Sequence, residues 1–333
     1  MDPNGPPIPL SPENILEMAN AFQRSRVLLT AVELGLFTVL GERRLSSAEI
    51  ATACKTDARA TDRLCNALCA LGLLVKSGAT YGNTLAAAQF LARDSADYLA
   101  GLDHTANMFR SWGTLTQAVR KGTQVLDSGL QEREQPWFNA FIRAMHHRAK
   151  HSAAALVALL DLSGVKRVLD VGGGSGAYAI AFAQAKPDIA AVILDLPQVV
   201  PLAQTYVEEA GLGSRVRARV CDYLTDDFGR GYDLVFFSAI VHINAPDKNQ
   251  QLINKAYAAL NPKGKIVVQD FVMDEDRTTP ARGALFALNM LVQTTYGDTY
   301  TTSEVSGWFA AAGAKNIRRI DSGPDTAMIV GEK

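Results

Sequence analysis

With 333 residues the chain is long enough for about two domains of ordinary size, and 48% hydrophobic residues suffice to bury a core in each. Charged residues make up 20% and balance to a net charge of −1, which gives no electrostatic reason to expect nucleic acid or an anionic membrane surface as a partner. Prolines at 3, 6, 7, 9 and 12 leave no apolar run for a signal peptide, and no later stretch approaches ~18 uninterrupted apolar residues, so a membrane span is not expected. The four cysteines (Cys54, Cys65, Cys69 and Cys221) fit neither a disulfide framework nor metal-ligand spacing. Cys65 and Cys69, four apart on an expected helix, read as small apolar core residues, and a reducing, cytoplasmic compartment is expected without a metal.

Residues 1–12 read as a flexible Pro-rich tail. Behind it Ser11-Pro12-Glu13 is a good helix start, and Ile15, Met18, Ala19, Phe22, Val27, Leu28, Ala31, Leu34 and Leu36 keep near-helical spacing. Ser46-Ser47-Ala48-Glu49 is a capping box opening a short helix through Ala53, and a second helix runs from about Ala58 to Leu71, stopped by Gly72. Residues 73–76 and 80–81 read as two short strands around Ser77-Gly78. Helix, helix, hairpin is a winged-helix pattern, and DNA binding is its obvious reading. The second helix, however, offers only Arg59 and Arg63, flanked by Asp57 and Asp62, too little positive charge to track phosphates. Residues 13–120 are therefore expected to form a helical dimerisation domain. Further helix is expected from about Asp97 to Lys121 and from Pro136 to Leu160, with more apolar face than one protomer covers, so a homodimer is expected.

From Lys166 the pattern changes to strand–helix alternation, and residues 121–333 are expected to form an α/β domain with linking helices. Strands are expected at 166–171, 190–195, 215–220, 232–237 and 263–271. Their apolar cores do not alternate, as befits a mostly parallel sheet covered on both faces. Two last strands, near Asn316–Ile320 and Ala327–Val330, are too close for a crossover helix, so one of them runs antiparallel.

Val168-Leu169-Asp170-Val171-Gly172-Gly173-Gly174-Ser175-Gly176 sits where the first strand turns into its helix, where glycines permit a tight turn and close approach of a ligand. Gly172, Gly174 and Ala177 also satisfy a dinucleotide pattern, so the loop alone is ambiguous, and a nicotinamide-dependent oxidoreductase is a competing reading. Three carboxylates favour S-adenosylmethionine. Asp170 would repel a pyrophosphate but suit a cationic methionine group, Asp195 can accept from the ribose diol of either cofactor, and Asp222-Tyr223 can meet an adenine. Asp195 and Asp222 could alternatively be helix N-caps.

The Leu-Asp-Val-Gly-Gly-Gly-Ser-Gly run, Leu194-Asp195-Leu196-Pro197 and Cys221-Asp222-Tyr223 resemble the small-molecule O-methyltransferases of plants and bacteria, a group that includes caffeic-acid, acetylserotonin and polyketide-tailoring enzymes. The resemblance covers nearly the whole chain. It implies a Rossmann-like class I methyltransferase domain with a seven-stranded sheet and an antiparallel C-terminal strand, preceded by a winged-helix domain that forms an intertwined homodimer. It further implies S-adenosylmethionine as methyl donor, S-adenosylhomocysteine as product, and cofactor contacts at Asp170, Gly172, Gly174, Gly176, Asp195, Leu196, Asp222, Tyr223 and Ser238. Ser238 stands where a Lys or Arg is more usual.

Methyl transfer to a hydroxyl needs an aligned acceptor and a base, for which histidine is well suited near neutral pH. His104, His146, His147 and His151 lie on expected helices among polar neighbours and read as solvated or interface residues. His242 follows the strand 234–237 at its C-terminal end, the edge where such sheets place ligands. By the resemblance it is the catalytic base and Asp270 the carboxylate that orients it. The family's Asp-Trp after this histidine is Ile243-Asn244 here, and a second orienting acid falls at Thr299, with Asp298 one place away. An acceptor pocket would be lined by Trp137, Phe141, Met145, Asn289 and Met290, each equally readable as core. The expected reaction is methyl transfer to a hydroxyl of a small aromatic or quinol-like acceptor, with C- or N-methylation on the same scaffold as the alternative.

Overall fold

A computed structural model describes residues 10–126, 135–150 and 152–333, so most of the expected tail and His151 lie outside the described residues. The chain separates into two compact units that divide between Phe109 and Arg110.

The N-terminal unit begins with α1 (Pro12–Asn20), whose N-cap Ser11 accepts the Asn14 N–H, so the helix starts inside the expected tail. The near-helical apolar spacing that follows is divided between α2 (Phe22–Glu33) and α3 (Leu36–Leu40), because Gly35 adopts φ +67° between them. After β1 (Leu45–Ser46) come α4 (Ser47–Cys54), opened by the Ser46–Glu49 capping box, and α5 (Ala58–Ala70), N-capped by Asp57. The hairpin of β2 (Leu74–Ser77) and β3 (Thr80–Asn83) completes the winged-helix pattern, with β1 added on the far side of β3. Leu36, Phe37, Leu40, Ile50, Cys65, Leu68, Leu74 and Tyr81 form its core, against which Cys69 is only partly buried. α6 (Leu85–Leu91) follows. By contrast, α1 buries none of its residues, and Leu16 and Met18 are 62% and 69% exposed.

The single helix expected over 97–121 is two, α7 (Gly101–Trp112) and α8 (Leu115–Lys121), interrupted at Gly113-Thr114. The one expected over 136–160 is likewise α9 (Gln135–Lys150) and α10 (Ala153–Ala158). The α/β alternation then runs β4 (Arg167–Val171), α11 (Ala177–Ala185), β5 (Ala190–Asp195), α12 (Val200–Glu209), β6 (Val216–Val220), β7 (Tyr232–Ser238), α13 (Pro246–Ala259) and β8 (Leu260–Asp270). Next come β9 (Val272–Met273), α14 (Ala281–Gln293), β10 (Tyr300–Thr301), α15 (Thr302–Ala311), β11 (Lys315–Asp321) and β12 (Ala327–Glu332).

The seven-stranded sheet has the order β11-β12-β8-β7-β4-β5-β6. Strands β4 to β8 are mutually parallel, and β12 runs antiparallel to both β8 and β11. Alternate residues feed two cores. Leu169, Val171, Val235, Phe237, Ile266 and Val268 face one side, while Val168, Ile193, Leu234, Phe236 and Val267 face the other. Burial on both faces explains why these strands read as unbroken apolar runs. The topology leaves the C-terminal ends of β4, β5, β7 and β8 side by side, and Asp170, Asp195, Ser238 and Asp270 stand there. The parallel β9–β10 pair, too short to leave a pattern, sits beyond that edge.

Candidate active site

The glycine loop is a cradle that tolerates little added bulk. Gly172, Gly174 and Gly176 adopt φ +65°, +58° and +75°, conformations costly for other residues. A Cβ on Gly172 would lie 2.3 Å from Ile240 Cδ1, and one on Gly176 would lie 2.4 Å from Ile193 Cδ1. At Gly174, by contrast, the nearest atom to an added Cβ is Ile142 Cδ1 at 3.8 Å, so that glycine meets its requirement through φ.

Two carboxylates brace this loop. Asp195, at the end of β5, accepts the Gly174 N–H at 2.7 Å on Oδ2 and the Leu196 N–H at 2.8 Å on Oδ1. It does not N-cap α12, whose N-cap is Val199. Burial pushes its carboxyl up to about 6, against the pull of those two N–H groups. Asp170 is fully buried beneath the loop. Its Oδ2 accepts the Ala179 N–H at 3.3 Å, its Oδ1 has no hydrogen-bond partner, and burial pushes the carboxyl up to about 7. An anion buried with so little compensation suits a site that receives a cation.

Beyond β6, Asp222 Oδ1 accepts the Leu224 N–H in a local turn, and no helix begins there, so Asp222 is not a helix N-cap. Tyr223 is half-buried, and burial raises its hydroxyl to about 12. At the end of β7 the Ser238 hydroxyl bonds to Gln269 Oε1 at 2.6 Å.

His242 lies in a short 3-10 turn (Val241–Ile243) reached through Ala239, a non-glycine residue at φ +58°. His242 is 7% exposed, and its Nδ1 is 2.7 Å from Asp270 Oδ1. Asp270 is itself fixed by the Phe271 N–H on Oδ1 at 2.8 Å and by the His242 N–H near Oδ2 at 3.4 Å. The edge of the His242 ring abuts the Phe286 ring, centroids 4.8 Å apart, and Phe286 stacks on Phe271. Asn244, which stands in place of the family's more usual tryptophan, ties the turn locally by donating to the Ile240 carbonyl at 3.1 Å. Gly297 closes the other side, since a Cβ there would come within 2.5 Å of the His242 carbonyl oxygen.

The remaining candidates are distributed as follows. Thr299 is buried, the Asp298 carboxylate is engaged at the surface by Arg277 at 3.5 Å, and the Asp298 N–H donates to the His242 carbonyl at 3.0 Å. Asn289 and Met290 are buried on α14, and Asn289 Oδ1 accepts from Trp112 Nε1 at 2.9 Å and from Gln293. Phe141 packs with Phe138, Ile142 and Val199, and Met145 is half-buried on the same helix. The Trp137 side chain lies outside the described residues. His146, expected to be a solvated or interface residue, has partners within the chain. It is half-buried, bonded through Nδ1 to Ser175 Oγ at 2.9 Å and stacked on Tyr206 at 3.8 Å. Phe286 and Gly297 beside the histidine, and Gln269 beside Ser238, were also missed, because nothing in local sequence tells which strand end or helix face they meet. Among the described residues no cluster of His, Cys, Asp and Glu could hold a metal ion.

A glycine-rich turn after the first strand, an acid closing the second and an antiparallel last strand define a class I methyltransferase domain. Similarity to known proteins agrees. Residues 112–315 match the O-methyltransferase domain and residues 16–93 the O-methyltransferase dimerisation domain. The chain belongs to this family of S-adenosylmethionine-dependent O-methyltransferases. It is 32% identical to the tetracenomycin polyketide synthesis 8-O-methyl transferase TcmO of Streptomyces glaucescens, over 96% of each chain. It is 31% identical to the L-tyrosine C(3)-methyltransferase of Streptomyces lavendulae, over 95% of this chain and 92% of that one. Among solved structures, PigF with S-adenosylhomocysteine superposes with a TM-score of 0.88 at 28% identity, covering 97% of this chain and 100% of that one. Among the described residues no helix is long and apolar enough to cross a membrane.

Proposed function

We propose that the protein methylates a hydroxyl of a small aromatic acceptor, phenolic or quinol-like, with His242 as general base and Asp270 as the group that orients it. The observation that carries this reading is the buried 2.7 Å contact of His242 Nδ1 with Asp270 Oδ1 at the sheet edge that bears the glycine loop. With Nδ1–H donated to Asp270, Nε2 is the free acceptor for a hydroxyl proton. Two backbone N–H groups hold Asp270 in place, so its carboxylate presents a fixed acceptor to the imidazole. Bound S-adenosylmethionine supplies a methyl carbon on a positively charged sulfur that departs as a neutral thioether. His242 would take the acceptor's hydroxyl proton at Nε2 as that oxygen receives the methyl group.

In this reading Asp195 accepts from the ribose diol, Asp222 and Tyr223 meet the adenine, and Gly172, Gly174, Gly176 and Leu196 supply the backbone surface. Asp170 favours the cation from below, and Ser238 lies toward the methionine end. Phe141, Met145, Phe286, Asn289 and Met290 line the acceptor side. TcmO's place in polyketide synthesis supports an aromatic polyketide or a similar phenol as acceptor. The exposed apolar residues of α1 and the dimerisation-domain match support a homodimer.

Likeness to a C(3)-methyltransferase of tyrosine favours one second reading, in which the same histidine generates a phenolate that attacks through its ortho carbon. Incubating the enzyme with phenols, naphthols and quinols and methyl-13C-labelled S-adenosylmethionine separates the two. A labelled methyl that couples to the ring through oxygen supports the proposal. One bonded directly to a ring carbon supports the second reading, and no transfer to any phenol refutes both.

A further inference from the structure

The parallel register sets four polar or ligand-accommodating positions in one row across the C-terminal edge. Asp170 pairs with Ile193 on β5 and Phe236 on β7, and Phe236 pairs with Val267 on β8. Two residues further along, on the same face by strand alternation, stand Asp195, Gly172, Ser238 and Gln269. Strands lie about 4.8 Å apart, so Ser238 is roughly 10 Å from Asp195 across the row and Gln269 one strand beyond. A ribose held at Asp195 would send the five-bond chain from its C4′ to the cofactor's α-carbon across Gly172 toward Ser238 and Gln269. At that end the cofactor is a zwitterion, with an α-ammonium and an α-carboxylate.

Where a Lys or Arg is more usual, this chain has a neutral pair. Ser238 is half-buried, Gln269 is buried, and one 2.6 Å hydrogen bond joins the Ser238 hydroxyl to Gln269 Oε1. A hydroxyl that has donated its only proton can only accept, and an amide whose oxygen is occupied has two N–H donors left. Reversing the amide exchanges the roles but again leaves one donor side and one acceptor side. The pair is therefore complementary to a zwitterion, whereas a lone cation serves only the carboxylate. The backbone ties the two strand ends together as well, since the Ala239 N–H donates to the Gln269 carbonyl at 3.0 Å.

We infer that Gln269 is a further cofactor-binding residue, and that with Ser238 it seats the α-amino-acid end of S-adenosylmethionine, the hydroxyl oxygen accepting from the ammonium and the amide donating to the carboxylate. This inference rests on the cofactor site proposed above.

The test uses two nucleosides that share the adenosine half. S-adenosylhomocysteine carries the amino-acid end, and 5′-methylthioadenosine lacks it. Titration calorimetry on the wild type, Gln269→Leu, Ser238→Ala and Ser238→Thr reads the difference. Loss of a hydrogen bond to a charged group weakens binding about 10- to 100-fold. Gln269→Leu and Ser238→Ala should each lose that much affinity for S-adenosylhomocysteine, keep their affinity for 5′-methylthioadenosine, and Ser238→Thr should retain both. Equal losses for the two nucleosides would make the pair a structural prop and overturn the inference, as would unchanged affinity for both. A wild type that binds neither nucleoside would sink the cofactor-site reading itself, a result distinct from either.

Discussion

Replacing Asp170 by Asn removes a charge that folding buries almost without compensation. Its Oδ2 receives one long N–H bond, its Oδ1 none, and the nearby Asp195 adds like charge. Burial raises the carboxyl from the ordinary 3.8 to about 7, which corresponds to roughly 4 kcal/mol against the ionised form. Because the folded-state value is the higher one, the native protein holds a proton the unfolded chain has already released. Stability therefore falls as pH rises from about 4 to 7, and the full cost applies above that. An Asn keeps an acceptor for the Ala179 N–H but carries no charge. Cofactor-free Asp170→Asn should therefore be more stable than wild type by up to about 4 kcal/mol at pH 8, and by less than about 2 kcal/mol at pH 5. Urea unfolding at the two pH values measures this. The same variant should lose affinity for cationic S-adenosylmethionine by about tenfold more than for neutral S-adenosylhomocysteine. A variant no more stable than wild type at pH 8, or equally stabilised at both pH values, refutes the argument that this carboxylate is uncompensated.

Asp195→Ala removes the acceptor of the Gly174 and Leu196 N–H groups together with the proposed ribose contact, so S-adenosylhomocysteine should bind about 10- to 100-fold more weakly by calorimetry. Wild-type affinity in that variant would show the site to be misassigned. Gly297→Ala places a methyl within 2.5 Å of the His242 carbonyl oxygen and of Thr294 Oγ1, and should lower kcat about 10- to 100-fold with unchanged S-adenosylhomocysteine affinity. Unchanged turnover would mean the histidine turn relaxes freely. The apolar exposure of α1 predicts a dimeric mass by light scattering at micromolar concentration, which a monomeric mass would contradict.

What could be read in the sequence followed from periodicity and short-range chemistry. The Ser46–Glu49 box acts within four residues and stands as expected, and the helix expected from about Ala58 does begin there, capped by Asp57. The strands of the sheet announced themselves as apolar runs because both faces are buried. Helix breaks were less legible. Gly113-Thr114 interrupts an otherwise amphipathic stretch, and Gly35 divides another only because it adopts a left-handed conformation. The pairing of His242 with Asp270, 28 residues apart, came from the family resemblance, and the two are brought together because they follow or end neighbouring parallel strands. The surroundings of His146 were not legible because its partners, Ser175 and Tyr206, lie 29 and 60 residues away and meet it only through tertiary packing. Gln269 was invisible for a related reason. In sequence it is one polar residue before Asp270, and its bond to Ser238 depends on strand register.

The assignment of His242 as general base is tested most directly by measuring His242→Ala on the identified acceptor, with S-adenosylhomocysteine affinity measured on the same preparation. A positioned base contributes about 10²- to 10⁴-fold, so kcat should fall by that order while the affinity stays at the wild-type value. Asp270→Asn should lower kcat by less, because it disturbs the orientation of the imidazole without removing it. Near-full turnover by His242→Ala would contradict the assignment, leaving proximity alone or another base to account for the reaction.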